Sequence, residues 1–152
     1  MSTMPLSGAY EPGTSAWARK QAERFEASGG TKGTTLHGRP VVVVTSVGAR
    51  TGKLRKTALM RVEQAGVYAV VASDGGIPDH PAWYHNLRAQ PLVELQDGPT
   101  KADYLAREAE GAERDTWWAR ALEVWPDYAR YQRRTTRVIP VFILEPVSAD
   151  PG

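Results

Sequence analysis

Short apolar runs of β type, separated by turns rich in glycine and charge, dominate the chain. Residues 40–46 include four consecutive valines, and a run without polar alternation is typical of a strand buried on both faces. Further strands are predicted over residues 56–63, 67–73, 92–96, 102–108 and 137–145. The first two of these flank Gln64-Ala65-Gly66 and predict a hairpin, while Pro140 predicts an edge or a bulge in the last strand. The pattern predicts a small, mainly β barrel.

Helical spacing adds an element at the N-terminal side of the strands. Thr14 or Ser15 can cap a helix that runs to about residue 27, in which Trp17 and Phe25 share one face. We expect this helix to pack on the barrel as a lid. The alternative is a weak contact with a membrane surface, because the aromatic side chains are interleaved with basic ones.

Peripheral helices are predicted in the second half of the chain. Pro81 lies near the first turn of a helix that ends before Pro91. Residues 112–124 predict an amphipathic helix that covers the barrel. A short helical segment follows from residue 125, and Tyr128 and Tyr131 lie on one face of it at a spacing of i, i+3.

Length and composition bound the architecture and the function. The 152 residues, 41% of them hydrophobic, predict one domain over residues 14–152 after a flexible arm, residues 1–13. The chain contains no cysteine, and His80 and His85 are five apart, which argues against a metal site. The net charge of +2 is too small to indicate nucleic-acid binding. Without a signal-peptide pattern, we expect a cytoplasmic protein, while its oligomeric state stays open.

A loop that reads GARTGKLRKT, residues 48–57, connects two of the predicted strands. Glycines permit close approach to its backbone, and four cations surround its N–H groups, a combination typical of anion binding. The loop is not a nucleotide-binding P-loop, because three residues instead of four separate its glycines and Leu54 follows Lys53. The alternative is a basic turn whose charges are only solvated.

The wider charge pattern favours a ligand at this loop. No Asp or Glu occurs between Glu26 and Glu63, and seven cations fall in that interval. These cations have no acid close to them in sequence, so a polyanionic ligand would be attracted to this part of the molecule.

Two further stretches are candidates for a flat ligand. Residues 72–76 read ASDGG and have small side chains, so a ring could approach their backbone, although alone they would indicate a simple turn. Trp83 and Leu87 share a helical face that is by default core, and Asn86 lies next to that face with an amide that could point into a pocket.

Four motifs in order, GARTGKLRKTALMRV, YAVVASDGG, HPAWYHNLRAQP and WPDYARYQRRTTRVIPVFILEPV, resemble the deazaflavin-dependent nitroreductase family of actinobacteria. The resemblance covers about residues 16–147. It implies an α+β fold, a split β-barrel of the FMN-binding-like type, that binds the 8-hydroxy-5-deazaflavin coenzyme F-420. It also implies an oxidoreductase in which the reduced coenzyme passes a hydride to an electrophilic acceptor, which is a quinone, an enone or a nitroaromatic.

The resemblance also implies roles for individual residues. The residues expected to hold the phosphodiester and acidic tail of the coenzyme are Arg50, Thr51, Gly52, Lys53, Arg55 and Thr57. The residues expected to seat the deazaflavin ring are Ala72, Ser73, Pro81, Trp83 and Asn86. Tyr128 and Tyr131 are expected to shape the acceptor pocket, and Ser73, a tyrosine hydroxyl or water to supply the proton.

Two other hypotheses remain at this point. The same barrel could use FMN, which needs a phosphate site but no long cationic track. The third hypothesis is a non-enzymatic module whose basic loop binds an acidic partner or nucleic acid. We rank that last, because it leaves the small-residue loop and the tyrosine helix without a use.

Overall fold

The structure, a computed structural model, describes Leu6 and residues 8–147. The strands are β1 (Thr35–Leu36), β2 (Arg39–Val47), β3 (Leu54–Met60), β4 (Val62–Gln64), β5 (Val67–Val71), β6 (Leu92–Asp97), β7 (Thr100–Glu108) and β8 (Val141–Pro146). The helices are α1 (Ala16–Ala27), α2 (Ala82–Ala89), α3 (Gly111–Val124) and α4 (Asp127–Arg134). The predicted β-rich α+β class is confirmed.

The strands form one antiparallel sheet with the order β1-β2-β6-β7-β8-β5-β4, and β3 pairs with β2 off this path. The sheet curls into a half-barrel, as the predicted split barrel requires. Alternate valines of β2 belong to two cores: Val41 and Val43 pack with Phe25, whereas Val42 and Val44 pack with Trp83. The prediction that this strand is buried on both faces is therefore confirmed.

The predicted strand 56–63 is two strands in the structure. Residues 54–60 pair with β2, whereas β4 pairs with β5 in a hairpin that matches Val62 with Ala69. Between them the Arg61 N–H donates to the Pro40 carbonyl at 3.0 Å, and the chain turns from one partner strand to the other. The predicted hairpin is present, but a corner of the barrel interrupts its first strand.

The prediction that Pro140 marks an edge strand or a bulge is wrong. β8 begins one residue later, at Val141, and it pairs on both sides, with β5 and with β7. Pro140 therefore needs no N–H for the ladder, and its carbonyl accepts from the Ala72 N–H at 2.9 Å.

α1 packs on the barrel through a different face from the predicted one. Ser15 caps the helix, and Ala22 and Phe25 are buried. Trp17 is 64% exposed, because it lies about 140° around the helix from Ala22. The lid itself is confirmed, while the expected packing of Trp17 is wrong.

Part of the expected N-terminal arm lies along β3. The Leu54 N–H donates to the Ala9 carbonyl at 2.8 Å, and the Glu11 N–H donates to the Leu54 carbonyl at 2.9 Å. Residues 1–5 and Ser7 of this arm, and residues 148–152 at the other end, lie outside the described residues. In the part that is described, no helix has the length and the apolar character needed to cross a bilayer.

Candidate functional site

Three neighbouring cavities share lining residues along α1, β3 and α2, and we call them together the groove. The first, of about 510 Å³, is lined by Gly48, Ala49, Arg50 and Thr51 of the basic loop. It shares Arg55, Ala82 and Asn86 with a second cavity of about 240 Å³. That cavity in turn shares Leu36, Thr57, Ala58 and Trp83 with a third of about 390 Å³, which Tyr128 and Tyr131 line. We name these parts the basic end, the middle and the tyrosine end of the groove.

The basic end is built on the tight loop between β2 and β3. The Gly48 N–H donates to the Lys53 carbonyl at 2.7 Å, and the Gly52 N–H donates to the Gly48 carbonyl at 2.9 Å. Gly52 has φ +71°, a value that favours glycine. Asn86 on α2 accepts from the Ala49 N–H at 2.9 Å. The Asn86 amide therefore holds the loop against α2, in addition to lining the groove.

A carboxylate already lies at the basic end. Arg55 donates to Glu11 at 2.7 Å, and the Thr51 hydroxyl donates to the same oxygen at 3.2 Å. The hydrogen bond from Arg55 lowers the pKa of Glu11 below its usual range, so Glu11 is ionised at neutral pH. The geometry of Arg55 and Thr51 is thus suited to an anionic oxygen.

The expectation that the cations near the loop lack acids is wrong for three of them. Arg55 pairs with Glu11, Lys56 with Glu26 at 2.6 Å, and Arg61 with Asp97 at 2.8 Å. The arm, α1 and β6 bring these acids close in space although they are far away in sequence. Arg50 and Lys53 are exposed, and neither forms an ion pair with a carboxylate of the described residues. These two cations are left for a ligand.

The middle of the groove lies between a short stretch of β3 and the start of α2. Thr57 and Ala58 of β3, Ala82 and Trp83 of α2, and several residues between 13 and 21 at the start of α1 line it. Trp83 is only 9% exposed, and its ring packs edge-on against Phe142 at a centroid distance of 6.1 Å. The default interpretation of Trp83 as core is therefore confirmed, and the ring also borders the cavity.

The tyrosine end is lined by several aromatic side chains. Tyr128 is 6% exposed and Tyr131 is half-buried, with ring centroids 6.2 Å apart at 74°. Burial raises the pKa of Tyr128 well above its usual value, so its hydroxyl stays protonated. The Trp125 indole N–H donates to the Tyr131 hydroxyl oxygen at 3.3 Å. Since an indole N–H can only donate, the hydrogen of the Tyr131 hydroxyl is free to point elsewhere.

The structure brings most of the predicted site residues to the groove. Those that line it are Arg50, Thr51, Arg55, Thr57, Ser73, Pro81, Trp83, Asn86, Tyr128 and Tyr131. Gly52 and Lys53 lie at the exposed tip of the loop, beyond the cavity wall. Ala72 is fully buried in the core and lines none of the three cavities. Its side chain therefore packs in the core next to the groove and does not line the cavity.

The lining residues that the sequence did not assign to the site include Glu11, Leu36, His37 and Trp125, as well as the start of α1. His37 and Gly38 form the two-residue turn between β1 and β2, and both have positive φ, as a type I′ turn requires. The His37 ring stacks on Trp125 at 5.2 Å, and the pair borders the tyrosine end. The sequence His37-Gly38 is compatible with a tight turn, but no local pattern indicated that the His37 ring would contact Trp125.

Among the described residues, no group of three or more His, Cys, Asp or Glu side chains is arranged to hold a metal ion. The groove instead combines exposed cations with a wall of aromatic and small side chains. Such a site can bind an elongated ligand that is anionic at one end and flat at the other.

A family model described as F420H(2)-dependent quinone reductase matches residues 17–146 of the chain. The chain is 36% identical over 110 residues to an F420H(2)-dependent quinone reductase of Mycobacterium tuberculosis, an alignment that covers 69% of this chain and 72% of the relative. It is 31% identical over 107 residues to a second, putative quinone reductase of the same organism, covering 70% of this chain and 90% of the relative.

Solved structures agree with these matches. A structure described as an F420-H2 dependent reductase is 55% identical, with a TM-score of 0.67, and the match covers 70% of this chain and 95% of that one. A domain-swapped dimer is 50% identical, with a TM-score of 0.69, over 88% of this chain and 100% of that one. A heme storage protein from Vibrio cholerae is 18% identical, with a TM-score of 0.55 over 74% and 84%, and shares the fold alone.

Proposed function

The chain belongs to the F420H(2)-dependent quinone reductase family and is an oxidoreductase that depends on coenzyme F-420, and from that premise we propose how its groove works. The basic end binds the acidic tail of the coenzyme, the middle binds the deazaflavin, and a quinone accepts the hydride at the tyrosine end. The observation that carries this proposal is that each cavity shares lining residues with the next one along the groove.

The residues of the groove fit this coenzyme in their chemistry. The Glu11 carboxylate lies on Arg55 and Thr51, which indicates that these donors suit an acidic oxygen. Arg50 and Lys53 add positive charge at the surface, where a long tail would emerge. Further along, Ala58 leaves space beside Trp83, and a flat ring needs such a slot. The cations at one end suit the anionic part of such a ligand, and the aromatic side chains at the other end suit its planar part.

We assign the groove residues to three tasks. The tail is held by Arg50, Thr51, Gly52, Lys53, Arg55 and Thr57. The ring lies against Ser73, Pro81, Trp83 and Asn86, with Ala72 behind them. The reduced coenzyme supplies the hydride, and the protein orients the acceptor and manages the proton.

Tyr131 is the proton donor that the geometry favours. The Trp125 indole N–H occupies a lone pair of its hydroxyl oxygen, so the hydroxyl can donate to a quinone oxygen in the same cavity. A quinone becomes a hydroquinone when it gains one hydride and one proton, and a polarised O–H next to the accepting oxygen assists that change. Tyr128 stays neutral because of its burial. It shapes the pocket through its ring.

Ser73 has a different task in this proposal. Its side chain also lines the tyrosine end, where it is 6% exposed. It lies on the side of the cavity next to Pro81 and Trp83, and thus beside the proposed ring position. We assign its hydroxyl to a hydrogen bond with the ring system and leave the acceptor proton to Tyr131.

Titration with both coenzymes at the same salt concentration tests the proposal. We expect coenzyme F-420 to bind and FMN to bind at least about tenfold more weakly, a difference of about 1.4 kcal/mol. FMN has a phosphate but no acidic tail to contact Arg50 and Lys53. The comparisons with known proteins give the FMN hypothesis no support. Equal affinities in calorimetry, or no quinone-dependent oxidation of the reduced coenzyme, would contradict the proposal.

A weak contact of α1 with a membrane surface, and a location that is otherwise cytoplasmic, stay predictions. Trp17 is 64% exposed beside a cavity that Lys20 and Arg24 also line, and an aromatic side chain among cations suits an anionic lipid surface. Co-sedimentation with anionic vesicles should decrease in Trp17→Ser. Equal sedimentation of both proteins would remove α1 from any such contact.

A further inference from the structure

The loop between β5 and α2, residues 72–81, contains three consecutive residues with positive φ: Asp74, Gly75 and Gly76, at 43°, 69° and 82°. The two glycines adopt such values readily. This region is uncommon for a residue with a side chain such as Asp74. Local strain of this kind persists where the surrounding structure holds the chain in place. The loop carries Ser73 and Pro81, two walls of the groove.

Arg137 binds this loop at four points. Its guanidinium donates to the carbonyls of Ala72 at 3.1 Å, Ser73 at 2.8 Å and Ile77 at 3.0 Å. It also lies 3.0 Å from Nδ1 of His80. Arginine has donors only, so His80 accepts at Nδ1 and is neutral. Burial and the charge of Arg137 lower the pKa of His80, which agrees with this tautomer.

The backbone of Arg137 is itself fixed next to α4. The Gln132 side-chain amide donates to the Arg137 carbonyl at 2.8 Å and accepts from the Ile139 N–H at 2.9 Å. The guanidinium thus extends from a rigid position near the tyrosine helix to the loop opposite.

Gly76 forms a second contact between the same two segments. A Cβ atom at this position would lie 2.5 Å from the Tyr131 carbonyl oxygen, so only glycine permits the approach. Arg134 also donates to the Gly75 carbonyl at 3.3 Å. These contacts therefore fix the distance between the loop that carries Ser73 and the helix that carries Tyr131.

We propose that Arg137 is a positioning residue that sets the width of the gap between Ser73 and Tyr131. This inference rests on the proposed function, in which the coenzyme ring and the quinone share that gap. Reactive atoms must be held within a narrow distance for hydride transfer, and small displacements reduce the rate strongly. A planar fork of donors can hold three carbonyls at once, whereas the single ammonium of lysine cannot reproduce that geometry.

The test compares Arg137→Ala and Arg137→Lys with the parent and with Arg133→Ala, a change at an exposed arginine of the neighbouring helix α4. Hydrogen exchange reports on the loop without the coenzyme, because the Gly76 and Ile77 amides donate to Ser73 and Asp74. We expect exchange at residues 74–77 to become about tenfold faster in both Arg137 variants. We also expect kcat with quinone to fall about tenfold while KM changes little.

Guanidinium ion at low millimolar concentration provides the decisive readout. It should slow loop exchange and raise kcat in Arg137→Ala, where it can occupy the vacated space, and should do neither in Arg137→Lys or in the parent. Unchanged loop exchange in Arg137→Lys, or a lower kcat that guanidinium does not restore in Arg137→Ala, would overturn the proposal. Failure of the parent to bind the coenzyme would instead contradict the proposed function, because loop exchange is measured without the coenzyme.

Discussion

The two ends of the groove are built in opposite ways. The basic end comes from one hairpin loop, residues 48–55, whose cations are close together in sequence and mostly in contact with solvent. The tyrosine end collects His37, Met60, Ser73, Trp125 and Tyr131 from separate segments, and most of these side chains are buried or half-buried. One end therefore provides charge at the surface, and the other provides shape and directed hydrogen bonds from more enclosed side chains.

Because of this difference, we expect the two ends to affect different quantities: the basic end the affinity for the coenzyme, and the tyrosine end the rate of the chemical step. Exposed charges interact at a distance and are screened by salt, with a Debye length of about 10 Å at 0.1 M. Buried rings and hydroxyls depend on packing, which salt hardly changes. We therefore expect coenzyme binding to respond to ionic strength through the basic end, and the chemical step to respond to side-chain geometry at the tyrosine end.

The largest effect is expected for Arg55→Ala. Coenzyme affinity should fall by roughly 1 to 3 kcal/mol, because a charge-assisted hydrogen bond is lost. The change also leaves Glu11 without its partner, so a carboxylate then opposes the acidic tail. Lys53→Ala should have a smaller effect, since Lys53 lies at the loop tip. Calorimetry at low and at high salt measures both effects.

Two controls make this prediction specific to the groove. Arg133→Ala removes an exposed cation of α4 and should leave affinity unchanged. Melting temperatures should barely move in the Arg55 and Lys53 variants, because a half-buried ion pair at the surface and an exposed lysine contribute little to folding. If neither substitution changes coenzyme affinity at any salt concentration, the loop is not part of the coenzyme site.

An intermediate effect is expected for Tyr131→Phe. The turnover rate with a quinone should fall about tenfold, because the donor that Trp125 orients is lost and water replaces it only in part. Coenzyme affinity should stay within about threefold, since the cations are untouched. Tyr128→Phe should cost less, because a buried hydroxyl contributes less to proton supply. Neither effect should depend on salt.

Stopped-flow measurement of hydride transfer, together with coenzyme titration, tests the tyrosines. Tyr104→Phe is a matched control, because Tyr104 packs beside Tyr68 on the sheet and not at the groove. If Tyr128→Phe and Tyr131→Phe instead lose coenzyme binding while remaining folded, the division between the two ends is wrong.

The smallest effect is expected for Glu11→Gln. Coenzyme should bind about two- to fivefold more tightly, because the carboxylate that competes for Arg55 and Thr51 is replaced by a neutral amide. Arg55 lowers the pKa of Glu11, so the carboxylate is charged at neutral pH. It loses its charge only as pH falls through that lowered value. The difference between variant and parent should thus disappear in acid.

Glu113→Gln provides the matched control, since Glu113 pairs with Arg107 away from the groove. Affinity should not change in that variant. Weaker coenzyme binding in Glu11→Gln would show that Glu11 helps to hold the ligand instead of competing with it.

Local patterns were sufficient for most of the fold. The valine run of β2, the hairpin turn at Ala65 and Gly66, and the four helices follow from periodicity and turn chemistry. Predictions were wrong where the structure of a segment depends on the strand or sheet that it contacts. Pro140 is compatible with a central strand because the strand begins after it, and Trp17 is exposed because the barrel contacts another face of α1.

The candidate site divides in the same way. The loop from Arg50 to Arg55 was recognisable because its glycines and cations are adjacent in sequence. The contacts that complete the site join distant residues: Glu11 and Arg55 are 44 positions apart, and Ser73 and Arg137 are 64 apart. A sequence pattern has no information on such pairs unless the chain topology is already known.

The sequence by itself therefore determined most of the strands and helices, the position of a loop rich in glycine and cations, and which tyrosines share a face. These properties depend on backbone preferences and on neighbours within one turn or one loop. Only the tertiary structure decided which cations are neutralised, that Trp125 orients the Tyr131 hydroxyl, and that Arg137 holds the Ser73 loop. Hydrogen bonds and ion pairs act over a few ångströms, so they form only between groups that the fold has brought together.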